Sequence, residues 1–298
     1  MEYVADFETL VFCTREGAII QVPTSNTGSR EVVGVLDSGI LCMCWSPDNE
    51  LFVIATGNST LVAMSSDFDI ITEVPAAPTE EKEKVGKIES IKMSWRGDAK
   101  FFVTNSIEEG GESVMRVWER SCSLSATSRG NKGMSGNVCW MPSGSIIASS
   151  QLTHVHQIIF FEKNGLRHYE FDLREKEPVQ VLDIQWNSGS DVLALLLKSK
   201  ERRYVQLWTR GNYHWYLKQQ LLNEGCQEDK VVQMSWDPEN AMVLRLLFEN
   251  GSFTQFHFSF DVTVPHSLTQ QNPSTVAVVD GSEWKHFFCF NILGNVFF

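Results

Sequence analysis

Five stretches of the chain share one pattern of apolar and polar positions. In each, an alternating apolar run ends at a tryptophan, a short turn rich in Pro, Gly, Asn or Asp follows, and a second apolar run comes next. The tryptophans at this hinge are Trp45, Trp95, Trp140, Trp186 and Trp236, at spacings of 50, 45, 46 and 50 residues. Such a period, made of short strand candidates, is typical of four-stranded propeller blades. The pattern predicts an all-β, WD40-like β-propeller.

The unit that begins at Ile40 shows four strand candidates, ILCMCW, LFVIAT, TLVAM and FDIITEV, separated by turn residues. Four further units repeat this order, the last of them ending in FDVTV, and residues 9–22 read as one hairpin that would end an earlier blade. Residues 275–298 read as an incomplete blade followed by an atypical apolar tail. The interpretation is a single partial propeller domain over residues 1–298, with about five full blades and partial blades at both ends. We expect the chain to stop before its propeller closes, as in a truncated or alternatively spliced product.

A second aromatic residue follows four of the hinges by 21 to 23 residues, and these residues are Trp118, Phe161, Trp208 and Phe258. In WD repeats this position ends the third strand of a blade, where a large ring packs between neighbouring blades. The dipeptide here is WE or WT, never WD. The pattern therefore indicates a divergent WD propeller in which the tryptophans are structural blade residues.

The charge balance of the chain is acidic, with a net charge of −12 and a pI near 5.1. General polyanion binding relies on many Lys and Arg side chains, so this balance disfavours it. The N-terminus does not resemble a signal peptide, and no apolar run approaches the roughly 20 residues of a membrane span. The seven cysteines include no CxxC pair. Together these features predict a protein of the cytoplasm or the nucleus, without a membrane partner.

Catalytic motifs are not evident in the sequence. It contains no GxSxG, P-loop, GxGxxG, HExxH or EF-hand pattern. His154 and His156, like Cys42 and Cys44, are two residues apart and would share a strand face. A metal site needs a third ligand at a recognisable spacing, so a loop or edge-strand pair is the favoured interpretation of the histidines and buried packing that of the cysteines. The sequence predicts a protein that is not an enzyme and has no catalytic residue, cofactor or metal.

Two neighbouring stretches are candidates for interaction. The first is a basic cluster, predicted to lie in a loop, that would contact phosphate or an acidic partner if it is not simply solvated. The second is an aromatic run, for which a protein interface and packing within the blade are equally open. These candidate residues are Lys198, Lys200, Arg202 and Arg203 in the first stretch, and Tyr213, His214, Trp215 and Tyr216 in the second.

Longer strings narrow the choice of family. CWSPDNELFVIATGNSTLVAMSSDFD, MSWRGDAKFFVTNS, WMPSGSIIASSQ, IIFFEKNGLRH, VQLWTRGNYHWYLKQ and MSWDPE occur in this order along the chain. Over most of residues 9–282 the sequence resembles the amino-terminal propeller of the largest subunit of the Elongator complex. FFEKNGL and GNYHWYLKQ carry most of the resemblance. The tail after Glu283 departs from it.

The resemblance implies a scaffold. Elongator modifies the wobble uridine of tRNA at C5, and its chemistry belongs to another subunit with radical-SAM and acetyltransferase domains. The resemblance implies contacts with that catalytic subunit and with a WD-repeat subunit, and an indirect relation to tRNA. The family's second propeller and dimerisation arm have no counterpart here. Alternative hypotheses are a WD-repeat adaptor of another assembly, a direct RNA-binding propeller that uses KSKERR, and the gating propeller of a peptidase.

Overall fold

The computed structural model describes residues 1–24, 30–77, 88–129, 133–144, 146–151, 157–175, 177–200, 202–211, 213–221, 230–259, 274–280 and 283–289. Within these ranges the chain forms β-strands and one short 3-10 turn, Ala5–Phe7, and no α-helix. All-β architecture, as the sequence pattern predicts, is confirmed. The chain divides into two compact units, Met1–Glu175 and Lys176–Phe298, which are described separately.

The first unit contains four antiparallel sheets of four strands each, and in every sheet the strands follow one another in chain order. The first sheet is β1 (Glu2–Val4), β2 (Thr9–Cys13), β3 (Ala18–Pro23) and β4 (Glu31–Val35). The second is β5 (Ile40–Trp45), β6 (Leu51–Thr56), β7 (Thr60–Ser65) and β8 (Ile70–Pro75). The third is β9 (Ile88–Trp95), β10 (Phe101–Glu108), β11 (Ser113–Glu119) and β12 (Leu124–Ser128). The fourth is β13 (Met134–Trp140), β14 (Ile146–Gln151), β15 (Gln157–Glu162) and β16 (Arg167–Asp172).

The second unit contains one sheet of four strands, one of three and one of two. The four-stranded sheet is β17 (Gln180–Trp186), β18 (Val192–Ser199), β19 (Arg202–Gly211) and β20 (His214–Leu221). The three-stranded sheet is β21 (Val231–Trp236), β22 (Val243–Phe248) and β23 (Phe253–His257). The last pair is β24 (Ser274–Asp280) and β25 (Glu283–Cys289).

The core of each unit lies between the faces of successive sheets. All six residues of β6 are buried, as expected for a central strand covered on both faces. On one side, Phe52 and Ile54 pack with Val4, Val11 and Ile19 of the first sheet. Burial of each such side chain contributes about 1.5–3 kcal/mol, so contacts between sheets hold the unit together.

Two details of the predicted blade boundaries differ from the structure. The hairpin of residues 9–22 is the centre of a complete four-stranded sheet, because Glu2–Val4 and Glu31–Val35 pair on either side of it. The chain after Glu283 continues as a strand, since Glu283–Cys289 pairs with Ser274–Asp280. FDVTV, the predicted fourth strand of the last full unit, lies outside the described residues. The described residues therefore form six sheets of three or four strands and a two-stranded pair, not five full blades with partial ends.

Candidate interaction surfaces

The hinge tryptophans end the first strand of their sheets and are buried at 1–8% exposure. Two of them donate their indole N–H to the preceding sheet: Trp95 Nε1 to the Cys44 carbonyl at 3.5 Å, and Trp236 Nε1 to the Gln185 carbonyl at 3.3 Å. Each of these acceptors is the residue just before another hinge tryptophan. The hinge thus joins neighbouring sheets within its own unit.

The backbone N–H of the hinge tryptophan makes a second joint between sheets. Trp140 N donates to Ser94 Oγ at 2.9 Å, and Trp45 N donates to Glu2 Oε2 at 2.8 Å. Burial raises the pKa of the Glu2 carboxyl from 4.5 to about 7, although the N–H of Trp45 opposes this shift. The Glu2 carboxyl of the first sheet thus accepts the N–H of a hinge tryptophan, as the Ser94 hydroxyl of the third sheet does.

The two tryptophans at the aromatic position on the third strand are buried, and each makes its own hydrogen bond. Trp118 Nε1 donates to Thr104 Oγ1 at 3.0 Å, and its ring stacks on Phe102 with centroids 6.2 Å apart. Trp208 Nε1 donates to Gln206 Oε1 at 3.1 Å. Because each ring is buried and its N–H is satisfied, these side chains are built into the core and are not presented to a partner.

A buried ion pair beside Trp118 was not evident from the sequence. Arg116 Nη2 donates to Glu108 Oε1 at 2.9 Å, with side-chain exposures of 0% and 4%, and Arg116 Nη1 donates to Ser106 Oγ at 3.1 Å. Thr104, Ser106 and Glu108 are every second residue of β10, so their side chains lie on the same face of the sheet. Arg116 of β11 pairs with Thr104 and lies on that face too. A buried charge of this kind is tolerated only when it is paired.

The basic stretch forms a tight hairpin, and its prediction as a loop is wrong. Lys198 pairs with Arg203 and Ser199 with Arg202, so only residues 200 and 201 separate β18 from β19. Lys200, which is exposed, lies 3.0 Å from Glu177, and Arg203 Nη1 donates to the Val231 carbonyl at 2.7 Å. Arg202 lies 5.4 Å from the ring of Tyr204. Part of this positive charge is therefore engaged within the unit.

The aromatic stretch divides between packing and exposure. Trp215 is buried, with its ring centroid 5.8 Å from that of Trp186, and Tyr216 is half-buried beside Lys218. Tyr213 and His214 are exposed at the turn between β19 and β20, and Tyr213 is 84% exposed. Packing within the blade therefore describes Trp215, whereas Tyr213 and His214 remain accessible to a partner.

Tyr213 also has a left-handed backbone, with φ of 65°. A bulky side chain rarely adopts this conformation, which costs about 1 kcal/mol or more. The guanidinium of Arg210 lies 5.7 Å from the tyrosine ring, and His214 packs edge-on against Tyr216 with centroids 6.5 Å apart. The turn thus presents an exposed ring with a cation beside it, a combination common in the centre of protein interfaces.

The two candidate stretches lie at opposite ends of one sheet. β19 runs from Arg202, beside the basic hairpin, to Gly211, beside the aromatic turn. Ten residues of β-strand span about 30 Å. The structure therefore does not bring the two stretches together into one site, and each must be tested alone.

The remaining predicted positions carry no site in the described part of the chain. His154 and His156 lie outside the described residues. Burial raises the pKa of the Cys42 thiol to about 11 and that of Cys44 well above its usual range, which favours neutral, packed thiols. No three described His, Cys, Asp or Glu side chains are grouped so that they could hold a metal ion. The described residues also include no helix with the length and hydropathy of a membrane span.

Comparison with known proteins identifies the family. The family described as ELP1 first N-terminal beta-propeller matches residues 1–90 and 75–239. The chain is 33% identical over 325 residues to Elongator complex protein 1 of Rattus norvegicus, covering 93% of this chain and 24% of the relative. It is 29% identical over 327 residues to the protein of that name from Schizosaccharomyces pombe, covering 95% and 25%. The chain belongs to the Elongator complex protein 1 family.

The residues that match the Elongator complex protein 1 family include nearly all of the sheets described above. The family match includes the whole first unit and extends in the second unit to β21, so it contains both candidate stretches. Putative elongator complex protein 1 of Xenopus laevis is 42% identical over 202 residues, covering 64% of this chain and 17% of the relative. The chain spans about a quarter of the length of the relatives from rat and fission yeast.

Proposed function

We propose that this chain is a non-catalytic scaffold module of the Elongator complex and that it supports modification of tRNA wobble uridine at C5 by the catalytic subunit. The observation that supports this most directly is the family match over residues 1–90 and 75–239. The packing supports it too, because the hinge tryptophans are used as joints between sheets. Such a module acts in the cytoplasm, with the nucleus as a second compartment.

The surface that we assign to partner binding is the turn at Tyr213 and His214. These side chains are exposed, whereas Trp215 behind them is anchored on Trp186. A rigid base under exposed aromatic rings lowers the entropy lost on binding. The proposed partners are the radical-SAM and acetyltransferase subunit and the WD-repeat subunit, and the relation to tRNA is indirect.

A direct RNA-binding role through the basic hairpin is less well supported. Electrostatic affinity for nucleic acid grows with the number of phosphates that cations neutralise. Here Lys200 is paired with Glu177, and Arg203 donates to a backbone carbonyl of β21. The net charge of −12 adds repulsion at long range.

Co-purification from cells tests the proposed function. A tagged chain should recover the catalytic subunit and the WD-repeat subunit, and the variant Lys200→Ser, at the other end of the sheet that carries Tyr213, should recover as much. Failure of the tagged wild-type chain to recover either subunit, in cells where both are expressed, would contradict the proposal. Catalytic activity of the purified chain on RNA or peptides would contradict the proposal that the chain is non-catalytic.

A further inference from the structure

The turn between β15 and β16 forms a cleft with β12 that neither the sequence analysis nor the proposed function uses. The cleft has a volume of about 310 Å³ and is lined by Ser125 and Ala126 of β12 and by Glu162, Lys163 and Asn164 of the turn. The turn belongs to the string FFEKNGL, which is one of the two that carry the family resemblance. It lies in the first unit, whereas the surface proposed above for the partner subunits belongs to the second.

The backbone of this turn lies next to β12. Gly165 has φ of +81°, and a Cβ built at this position would lie 3.4 Å from the carbonyl carbon of Thr127. Gly165 N donates to the Glu162 carbonyl at 2.9 Å, which closes the turn. Glycine is therefore favoured here by the left-handed backbone, while the 3.4 Å distance is an ordinary van der Waals contact with β12.

Lys163 provides a cation in the cleft. Its Nζ lies 3.9 Å from the ring centroid of Phe101, and the guanidinium of Arg96 approaches the same ring at 4.6 Å. Arg96 is engaged by both carboxylate oxygens of Asp98, at 2.8 and 2.6 Å. Within the described residues, the Lys163 ammonium has no carboxylate partner and no hydrogen-bond acceptor. The aromatic ring holds the charge in place, while its N–H donors stay available.

The acidic residue that lines the cleft does not neutralise this lysine. Glu162 Oε1 lies 2.9 Å from His168 Nδ1, and Glu162 Oε2 accepts a hydrogen bond from Asn164 Nδ2 at 3.1 Å. Asn164 Oδ1 in turn accepts from the backbone N–H of Leu166 at 2.9 Å. These bonds hold Glu162 against its own turn. The Lys163 ammonium is left as an unmatched positive charge in an acidic protein.

Two exposed leucines are close in sequence to residues that line the cleft. Leu166, two residues after Asn164, is 65% exposed, and Leu124, just before Ser125, is 37% exposed. Exposed leucines beside a cation can bind apolar side chains that neighbour a carboxylate in a peptide. They offer nothing to a phosphate backbone, whose binding needs several cations.

We propose that the cleft between β12 and the β15–β16 turn binds an acidic side chain in an extended segment of a partner protein. Lys163 donates to the carboxylate, and Leu124 and Leu166 contact apolar residues on either side of it. Charge complementarity selects this occupant, because Lys163 is the cation that the cleft leaves without a carboxylate among the described residues.

The test uses the full chain and an oriented peptide library with a fixed central Glu, compared with the same library carrying Gln. The wild-type chain should bind the Glu library more tightly, by about tenfold or more, as expected for a charge-assisted hydrogen bond. Lys163→Met, which keeps the aliphatic stem over Phe101, should abolish this preference. Leu166→Ser should weaken binding of both libraries but keep the preference for Glu. Lys100→Gln, which removes an exposed positive charge from the same unit, should change neither.

Several results would overturn the proposal. The first is equal binding of the Glu and Gln libraries by the wild-type chain, or no saturable binding of either. The second is an unchanged Glu preference in Lys163→Met, with a melting temperature equal to that of the wild type. Displacement of the Glu library by millimolar inorganic phosphate, or tighter binding of an RNA oligonucleotide that depends on Lys163, would assign the cleft to phosphate instead. Because these assays do not involve Elongator subunits, their outcome is independent of the proposed function.

Discussion

Trp118 and Tyr213 are both large aromatic residues near the end of a strand, yet the structure uses them in opposite ways. Trp118 is 2% exposed, stacks on Phe102 and donates its N–H to Thr104. Tyr213 is 84% exposed, on a left-handed backbone that costs energy. The first contributes to stability through burial. The second brings no comparable gain to the fold, in keeping with the proposal that it binds a partner.

The comparison teaches that aromatic content alone does not locate an interface in this fold. Nine tryptophans are spread through the chain, and the five hinges repeat with a period that invites a recognition role. They are buried instead, and the indole N–H groups of Trp95 and Trp236 join neighbouring sheets. What separates the two classes is whether the ring is buried.

The largest expected effect on stability is at Trp118, the buried residue of this comparison. Trp118→Ala should lower the free energy of unfolding by about 3–5 kcal/mol, because it removes a fully packed ring and leaves a cavity. Trp118→Phe should cost less, since it keeps a ring beside Phe102 and removes only the donor to Thr104 and part of the ring volume. Urea unfolding followed by circular dichroism measures both. A loss below about 1 kcal/mol for the alanine variant would show that the ring is not a core element.

The ion pair beside Trp118 should give the next largest effect. Glu108→Ala leaves the buried Arg116 guanidinium without its carboxylate and should cost about 3 kcal/mol. The double variant Glu108→Ala, Arg116→Met should recover part of this loss, because the unpaired charge is then absent. A double-mutant cycle in urea gives the coupling energy. Additive losses would mean that the two groups do not interact in solution.

A smaller, pH-dependent effect should arise at Glu2. Its pKa in the folded chain is about 7, above its ordinary value of 4.5, so the folded state holds the proton more tightly. The stability that this proton provides is complete below pH 4.5 and is lost as the pH rises towards 7. We expect a decline of about 1–2 kcal/mol over this interval, since the side chain is only partly buried. Glu2→Gln should remove that part of the pH dependence, and an unchanged profile would contradict the assignment.

Much of the fold could be predicted because its strongest signals are local. The period of the hinges and the apolar runs around them, such as Leu51–Thr56, specify strands and their order. The first sheet was underestimated because Glu2–Val4 is a three-residue strand with little pattern of its own. Its pairing with Thr9–Cys13 shows only in the assembled sheet.

The candidate surfaces depended on contacts between residues distant in sequence, so they were less predictable. The string KSKERR reads as a polar loop, but Lys198 and Arg203 pair across a two-residue turn. In the run YHWY, strand alternation suggests that some side chains face inward, but only the contact with Trp186 identifies Trp215 as the buried ring. Lys163 gave no signal in the sequence, since its role depends on Phe101, which is 62 positions earlier in the chain.

The most direct test of the central claim is one substitution at the exposed side of the comparison, Tyr213→Gly. Glycine relieves the left-handed strain, and the turn would then read Asn-Gly, the preferred pair for a two-residue hairpin. We predict a melting temperature equal to or above that of the wild type, by a gain of up to about 1 kcal/mol, together with loss of the co-purified Elongator subunits. Undiminished recovery of those subunits by the Tyr213→Gly chain would contradict the account.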